Sequence, residues 1–278
     1  MPEPRWRSWA RRTRIPFAAK LAWNAALSPL QAPGLVILNS GRCGSTVLSW
    51  MLHDHPRVYS HGEVFLRYQA RYAGRPRAPD PLRYLRRDRL RAGRRHFVMS
   101  VHFLRGQHLR PDVVGMGLEE FLDAIGALGF ERVALLERRN SLRVLLSSYA
   151  GSRRDVWHVP ADSEPERRTF ALDPEDVEFA RIRLPLLVWL EEFERSYAEA
   201  RPLVAARGGV HLTYEEDVLP DPRIGYRKLC RALGESPVEV PVPLRRANPF
   251  AARDVVDNFV DVARVLEGTR FAWMLEAE

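Results

Sequence analysis

Eight consecutive residues, Asn39-Ser40-Gly41-Arg42-Cys43-Gly44-Ser45-Thr46, gather the groups a protein uses to hold a phosphate or sulfate. Gly41 and Gly44 let the backbone curl close to a ligand, and the amides opening the next helix point at it with the positive end of the helix dipole behind them. Arg42 adds a full charge, and Ser45 and Thr46 add hydroxyl donors. Further along, Arg139 closes an apolar run and Ser147 follows it by eight positions. An arginine at the carboxyl end of a strand and a hydroxyl two turns along the next helix can converge on one phosphate, in the crevice where open α/β sheets bind ligands. Two residues compete as a general base: Glu63, in Tyr59-Ser60-His61-Gly62-Glu63-Val64-Phe65, and His102, in Ser100-Val101-His102. A glutamate in that role needs its reference pKa of about 4.3 raised by burial.

The elements that must position these residues are legible as patterns. Gly34 to Ser40 is a continuous apolar run, as in a strand buried on both faces of a parallel sheet. From Ser45 to His53, Val47, Leu48, Met51 and Leu52 recur at helical spacing, so the unit reads strand, tight loop, helix. Further strands are predicted at Val58–Ser60, His96–Phe103, Arg132–Glu137 and Val210–Tyr214. Helices are predicted at Leu118–Leu128, Ser141–Ala150, Glu175–Ala200 with a break or kink near Pro185, Pro222–Leu233 and Ala252–Leu266. Strands alternating with helices predict a single α/β domain over residues 31–278, with a mainly parallel central sheet flanked by helices.

Composition bounds the function. A chain of 278 residues, 46% hydrophobic, can bury a large core, which excludes disorder and fibrous structure. No run approaches the roughly 18 to 20 apolar residues of a membrane span, and the two cysteines, Cys43 and Cys230, are too few for a disulfide framework or a cysteine-built metal site. A reducing, cytoplasmic setting is expected. The net charge is +8, and residues 67–95 hold eleven arginines against Asp80 and Asp88, a balance of +9. That stretch is expected as a basic insertion, either a solvated flap or a funnel for an anionic acceptor. Residues 151–174, with Trp157 and His158, form a second insertion, a possible acceptor lid. Residues 1–30, with Trp6, Trp9 and Trp23 among arginines, read as a basic helical segment that packs on the domain or touches anionic lipid. The sequence leaves the oligomeric state open.

A nucleoside-triphosphate P-loop, GxxxxGK[ST], fails twice here, because Asn39 stands at the first glycine and Ser45 at the lysine. Arg42-Cys43-Gly44-Ser45-Thr46 instead resembles the 5′-phosphosulfate loop of sulfotransferases that use 3′-phosphoadenosine 5′-phosphosulfate (PAPS). The segment Leu135 to Tyr149, with Arg139 and Ser147, resembles that family's 3′-phosphate signature. Two further stretches are similar to its patterns: His211-Leu212-Thr213-Tyr214-Glu215-Glu216-Asp217-Val218 with Asp221-Pro222 and Leu233-Gly234, and Asn258 with Leu266-Glu267-Gly268-Thr269-Arg270-Phe271. The resemblance covers residues 34 to 275 and implies a P-loop-like three-layer α/β sandwich.

It also implies PAPS as donor, PAP as product and no metal, with Gly41, Arg42, Cys43, Gly44, Ser45, Thr46, Arg139 and Ser147 holding the nucleotide and Arg42 stabilising the leaving phosphate. Glu63 resembles the glutamate of glycan-modifying and bacterial members. His102 resembles the histidine of the cytosolic Lys-Thr-His, with Ser100 in place of the lysine. The cytosolic RKGxxGxW loop has no counterpart, although Arg245 and Arg246 stand in the comparable region and Arg245 is taken as a 3′-phosphate contact. The implied acceptor is a hydroxyl of a glycan, glycolipid or secondary metabolite. The alternatives are a P-loop-like kinase, which should carry the missing lysine, and a basic anion- or nucleic-acid-binding module, for which no nucleic-acid motif is present.

Overall fold

A computed structural model describes residues 17–26, 30–72, 75, 78–154 and 157–276. Five strands, β1 (Leu35–Asn39), β2 (Val58–Gly62), β3 (His96–His102), β4 (Arg132–Glu137) and β8 (Val210–Thr213), form one sheet. Their order is β2-β3-β1-β4-β8 and every pair is parallel. All five residues of β1 are buried because helices cover both faces of the sheet. Leu35 and Ile37 join Leu48, Leu52 and Leu229 beneath α2 (Ser45–Asp54) and α9 (Pro222–Ala232). Val36 and Leu38 point the other way, into a larger cluster with Phe97, Phe121, Leu135, Trp189 and Phe193, contributed partly by α5 (Leu118–Ala127) and α7 (Leu186–Ala206). The short helix α8 (Tyr214–Asp217) and the strand β5 (Val159–Pro160), paired antiparallel with β9 (Leu244–Arg245), complete a three-layer α/β domain.

Register places the chemistry. Asn39, at the end of central β1, lies level with His102 of β3 and Leu136 of β4. The chain leaves β1 toward β2 on one side of the sheet, whereas β4 and β8 lie on the other. A crevice therefore opens above the ends of β3, β1 and β4.

Two sequence expectations are corrected. Glu175–Ala200 is not a kinked helix. Residues 177–184 make an antiparallel hairpin, β6 (Val177–Phe179) with β7 (Ile182–Leu184), turned through Ala180 and Arg181 at φ 51° and 66°. The helix α7 begins only after Pro185, which stands at its N-cap. Pro185 has no N–H to give to a helix, and buried Val177 and Phe179 follow the period of a strand. Ala252–Leu266 is likewise two helices, α10 (Ala252–Val255) and α11 (Phe259–Leu266). The intervening backbone pairs elsewhere: Phe170 N–H donates to Val255 O, Asp257 N–H donates to Phe170 O, and Asn258 bonds the backbone of Leu172 in both directions.

The stretch 67–95 lies largely in α3 (Val64–Tyr72) and α4 (Pro81–Arg89), which bury Tyr68 and Leu85. Of the N-terminal segment, α1 (Phe17–Ala26) is described, while residues 1–16 and 27–29 lie outside the described residues. Among the described residues no helix is long and apolar enough to cross a membrane.

Candidate active site

The loop after β1 turns through left-handed backbone at Gly41 (φ 81°), Arg42 (φ 55°) and Gly44 (φ 87°). Glycine is required at Gly44, where a Cβ would lie 2.6 Å from Val218 Cγ1. Asn39, in the place of a P-loop glycine, is the loop's brace: Oδ1 accepts the Gly41 amide at 2.9 Å and Nδ2 donates to Ser100 Oγ at 2.7 Å. Tyr197 of α7 accepts the Ser40 amide at 3.1 Å, and Gln107 Nε2 donates to the Ser40 carbonyl at 2.8 Å. The loop is therefore held by β3 and α7 before any ligand arrives. Gly44 gives α2 no side-chain cap, so the first-turn amides remain for an anion. Ser45 is buried and Thr46 half-buried at that turn. Cys43 is wholly buried with its thiol pushed up to about 11 by burial, so it contributes backbone and packing, not a nucleophile.

The two anion motifs meet. Arg42 Nε donates to Ser147 Oγ at 3.0 Å, across 105 residues, and its Nη1 donates to the Trp157 carbonyl at 2.9 Å. Ser147 is carried by α6 (Ser141–Arg154), the helix that follows β4. The Trp157 ring lies 5.5 Å from the Arg42 guanidinium. Burial first, and the neighbouring Arg138 second, bring Arg42 down to about 10, still cationic at neutral pH.

Arg139 is not part of this meeting. It is exposed, ion-paired with Glu216 and within 3.5 Å of Thr213 Oγ1, and its amide is accepted by Glu215. The arginine that turns inward is Arg138, 6% exposed, with Nη1 donating to the Arg42 carbonyl at 3.1 Å and its guanidinium 4.3 Å from the Tyr214 ring. Its Nε is a buried donor with no protein acceptor. Burial is the main reason its pKa is lowered, and Arg246 is close enough to lower it further. Arg245 shows the same offset by one residue. It is ion-paired at the surface with Glu164, and the charge of its neighbour Arg246 reaches Arg138. The missed signal lay in Glu215 and Glu216 after the neighbouring strand β8, which were bound to claim one arginine at the end of β4. A cavity of about 310 Å³ lies beside α7, lined in part by Arg138, Arg139, Tyr197 and Met274 and by no residue of the 41–46 loop.

On the β3 side the two base candidates are neighbours. Glu63 Oε1 lies 3.6 Å from His102 Nε2, and both side chains are partly exposed. Burial is the main cause lowering the pKa of His102, Arg42 lowers it further and Glu63 opposes, so the imidazole is neutral at pH 7. His108 stacks on His102 at 4.7 Å and completes a Glu63–His102–His108 cluster with metal-like spacing. Its Nδ1 accepts the His102 amide at 3.0 Å, which places the ring proton on Nε2. With one nitrogen engaged and the other protonated, His108 is a poor metal ligand and a good brace for the His102 backbone. Burial depresses its pKa well below the ordinary value, in keeping with a neutral ring. His158 stands near enough to sense both Arg42 and Glu63.

No protein-family model and no curated protein matches the chain. Its structural likeness is to sulfotransferases. It is similar to a sulfotransferase from Alicyclobacillus acidocaldarius at 16% identity, over 88% of this chain and 94% of that one, with a TM-score of 0.49. It is also similar to the sulfotransferase domain of the Synechococcus PCC 7002 olefin synthase at 16% identity, over 83% and 84% of the two chains, with a TM-score of 0.42. A sulfotransferase domain from the curacin biosynthetic pathway follows at 14% identity, over 76% and 77%, with a TM-score of 0.40. None reaches a TM-score of one half, so the residue roles below rest on this chain's own geometry.

Proposed function

We propose that the chain transfers a sulfuryl group from PAPS to a hydroxyl of a glycan, glycolipid or secondary metabolite. The observation that carries this reading is the 3.0 Å bond between Arg42 Nε and Ser147 Oγ, which brings two strand-loop-helix anion sites into one crevice. The groups there fit a nucleotide with two phosphate-bearing ends: an uncapped helix start, a left-handed glycine loop, Arg42, and the buried unpaired Nε of Arg138. PAPS supplies an activated sulfuryl group on a phosphate leaving group. The sulfur–oxygen bond to that phosphate breaks while one to the acceptor oxygen forms, and the acceptor proton passes to the protein.

Arg42 and the loop amides neutralise the charge that grows on the departing phosphate, and guanidinium groups supply that positive charge. Arg138 and Ser147 grip the nucleotide's other phosphate, with Arg139 bracing the turn through Glu216. Glu63 takes the acceptor proton. Neutral His102 sits beside it, and its own backbone is held by His108. The lid around Trp157 and His158 closes the acceptor side.

Thermal-shift measurements with PAP, ATP and a duplex oligonucleotide test the donor assignment, because a ligand stabilises only the fold that binds it. PAP is expected to raise the melting temperature well above the shift given by ATP, with no response to the duplex. An ATP shift equal to that of PAP, or none with PAP, overturns it. Incubation with sulfur-labelled PAPS and cell extracts then identifies the compound that gains label.

A further inference from the structure

One face of the molecule, remote in chemistry from the crevice, carries positive charge and exposed apolar surface together. On α4, Arg83, Arg86 and Arg87 are spaced along one solvent-facing side, while Leu85 and Asp88 turn inward. Arg71 of α3, the helix that packs against α4, and Arg94, just past the 3-10 turn Leu90–Ala92, are exposed as well. None of these five has an acidic partner among the described residues. The acids of the same stretch are engaged elsewhere: Asp80 Oδ1 accepts the Arg83 amide at 2.8 Å, and Asp88, 3% exposed, is bonded to His61 and Arg91.

The helix α1 lies against this edge, with Asn24 Nδ2 donating to the Leu90 carbonyl at 2.8 Å and Gln31 Nε2 to the Arg89 carbonyl at 2.7 Å. Its second half exposes Ala22, Trp23, Ala25 and Ala26, with Trp23 68% exposed, and Leu66 on α3 is 52% exposed. A soluble polyanion would use the arginines and leave the indole and leucine in water. A bilayer uses both, because indole rings favour the headgroup level and arginines favour anionic headgroups. We propose that the face formed by α1, α3 and α4 docks the protein peripherally on an anionic lipid bilayer, with Trp23 at the interface and the α4 arginines over the headgroups. This docking does not depend on the transfer chemistry.

The test is sedimentation of the full chain with vesicles of phosphatidylcholine alone or of equal phosphatidylcholine and phosphatidylserine. Wild type should bind the anionic vesicles only, with affinity falling as salt rises. Each arginine contributes roughly five-fold near such a surface, so the combined Arg83→Ala, Arg86→Ala, Arg87→Ala variant should bind about a hundred-fold more weakly. Lysines at the same three positions should restore most of the binding. Trp23→Ala should weaken binding several-fold at low and high salt alike, since interfacial burial of an indole is not screened. Equal binding to both vesicle types, an unchanged alanine variant, or tighter binding of a duplex oligonucleotide or heparin through the same arginines would overturn the inference. The last result would identify a soluble polyanion as the occupant.

Discussion

The loop after β1 and the turn after β4 each end a buried parallel strand and open a helix, yet they present their arginines differently. In the first, Arg42 is the only arginine, and its left-handed backbone is set by flanking glycines and by Asn39, all within six residues. In the second, two adjacent arginines compete, and the neighbouring strand decides between them. Glu215 and Glu216 draw Arg139 to the surface, and the Tyr214 ring receives Arg138 beneath the loop. A loop conformation set by its own segment is legible from sequence, whereas which of two adjacent arginines turns inward is set by a neighbouring strand's charges and is not.

The strongest way to break this contrast is Arg42→Ala. If the loop stabilises the leaving phosphate, turnover should fall about 10²- to 10³-fold, the 2.7 to 4 kcal/mol typical of a lost oxyanion donor, measured as label transfer at saturating PAPS. A fall of only a few-fold would make the loop a binding element alone.

The sharper comparison is Arg138→Ala against Arg139→Ala. A charge-assisted contact to phosphate is worth about 1.5 to 3 kcal/mol, so removing Arg138 should weaken PAP about ten- to a hundred-fold by titration calorimetry. Arg139 is in an exposed ion pair of the kind worth about 1 kcal/mol or less, so its loss should leave PAP affinity within a few-fold. The opposite ranking would restore the spacing between Arg139 and Ser147 as the phosphate signature.

Legibility of the fold follows the same logic. The apolar run ending at Asn39 and the helical pattern after Ser45 are local signals, and the structure realises both as β1 and α2. The 175–200 region carries a helical pattern in its second half only, and the hairpin before Pro185 was hidden because strands of three residues leave too short a period to read. The break at Val256 depends on backbone pairing with Phe170, 86 positions away, which no local pattern records. Glu63 and His102 each carried a signal as a base. That they are neighbours follows from β2 and β3 pairing in parallel, a topological fact.

Acidification should separate the two sides of the crevice. The guanidinium groups do not titrate below about pH 9, even with Arg42 lowered to about 10, so PAP affinity should hold from about pH 8 to pH 7 and fall below that only as the nucleotide's own phosphates, with a second pKa of about 6, take up protons. His102 is neutral above a pKa already depressed from 6.5, so transfer should decline only as the pH falls below that ordinary value. The unfolded chain protonates these buried histidines first, so it binds more protons in that window and the melting temperature should fall with pH as well. Activity and stability can be told apart by assaying transfer well below the melting temperature. A decline in PAP affinity already between about pH 8 and pH 7, above the range in which the nucleotide's phosphates protonate, would place a titrating protein group on the donor side.

The smallest effect tests the link between the regions. Ser147 contributes one neutral hydroxyl, and its bond to Arg42 is worth about 0.5 to 1.5 kcal/mol, so Ser147→Ala should cost PAP affinity only a few-fold. Its value lies in coupling. If Arg42 and Ser147 hold the two ends of one nucleotide, the double variant should lose less than the sum of the two singles, with a coupling of at least about 0.5 kcal/mol. If they serve separate ligands and touch only when the crevice is empty, PAP binding should respond additively, within about 0.3 kcal/mol. Additivity would split the crevice into two unrelated anion sites and remove the geometric basis for a single bridging nucleotide.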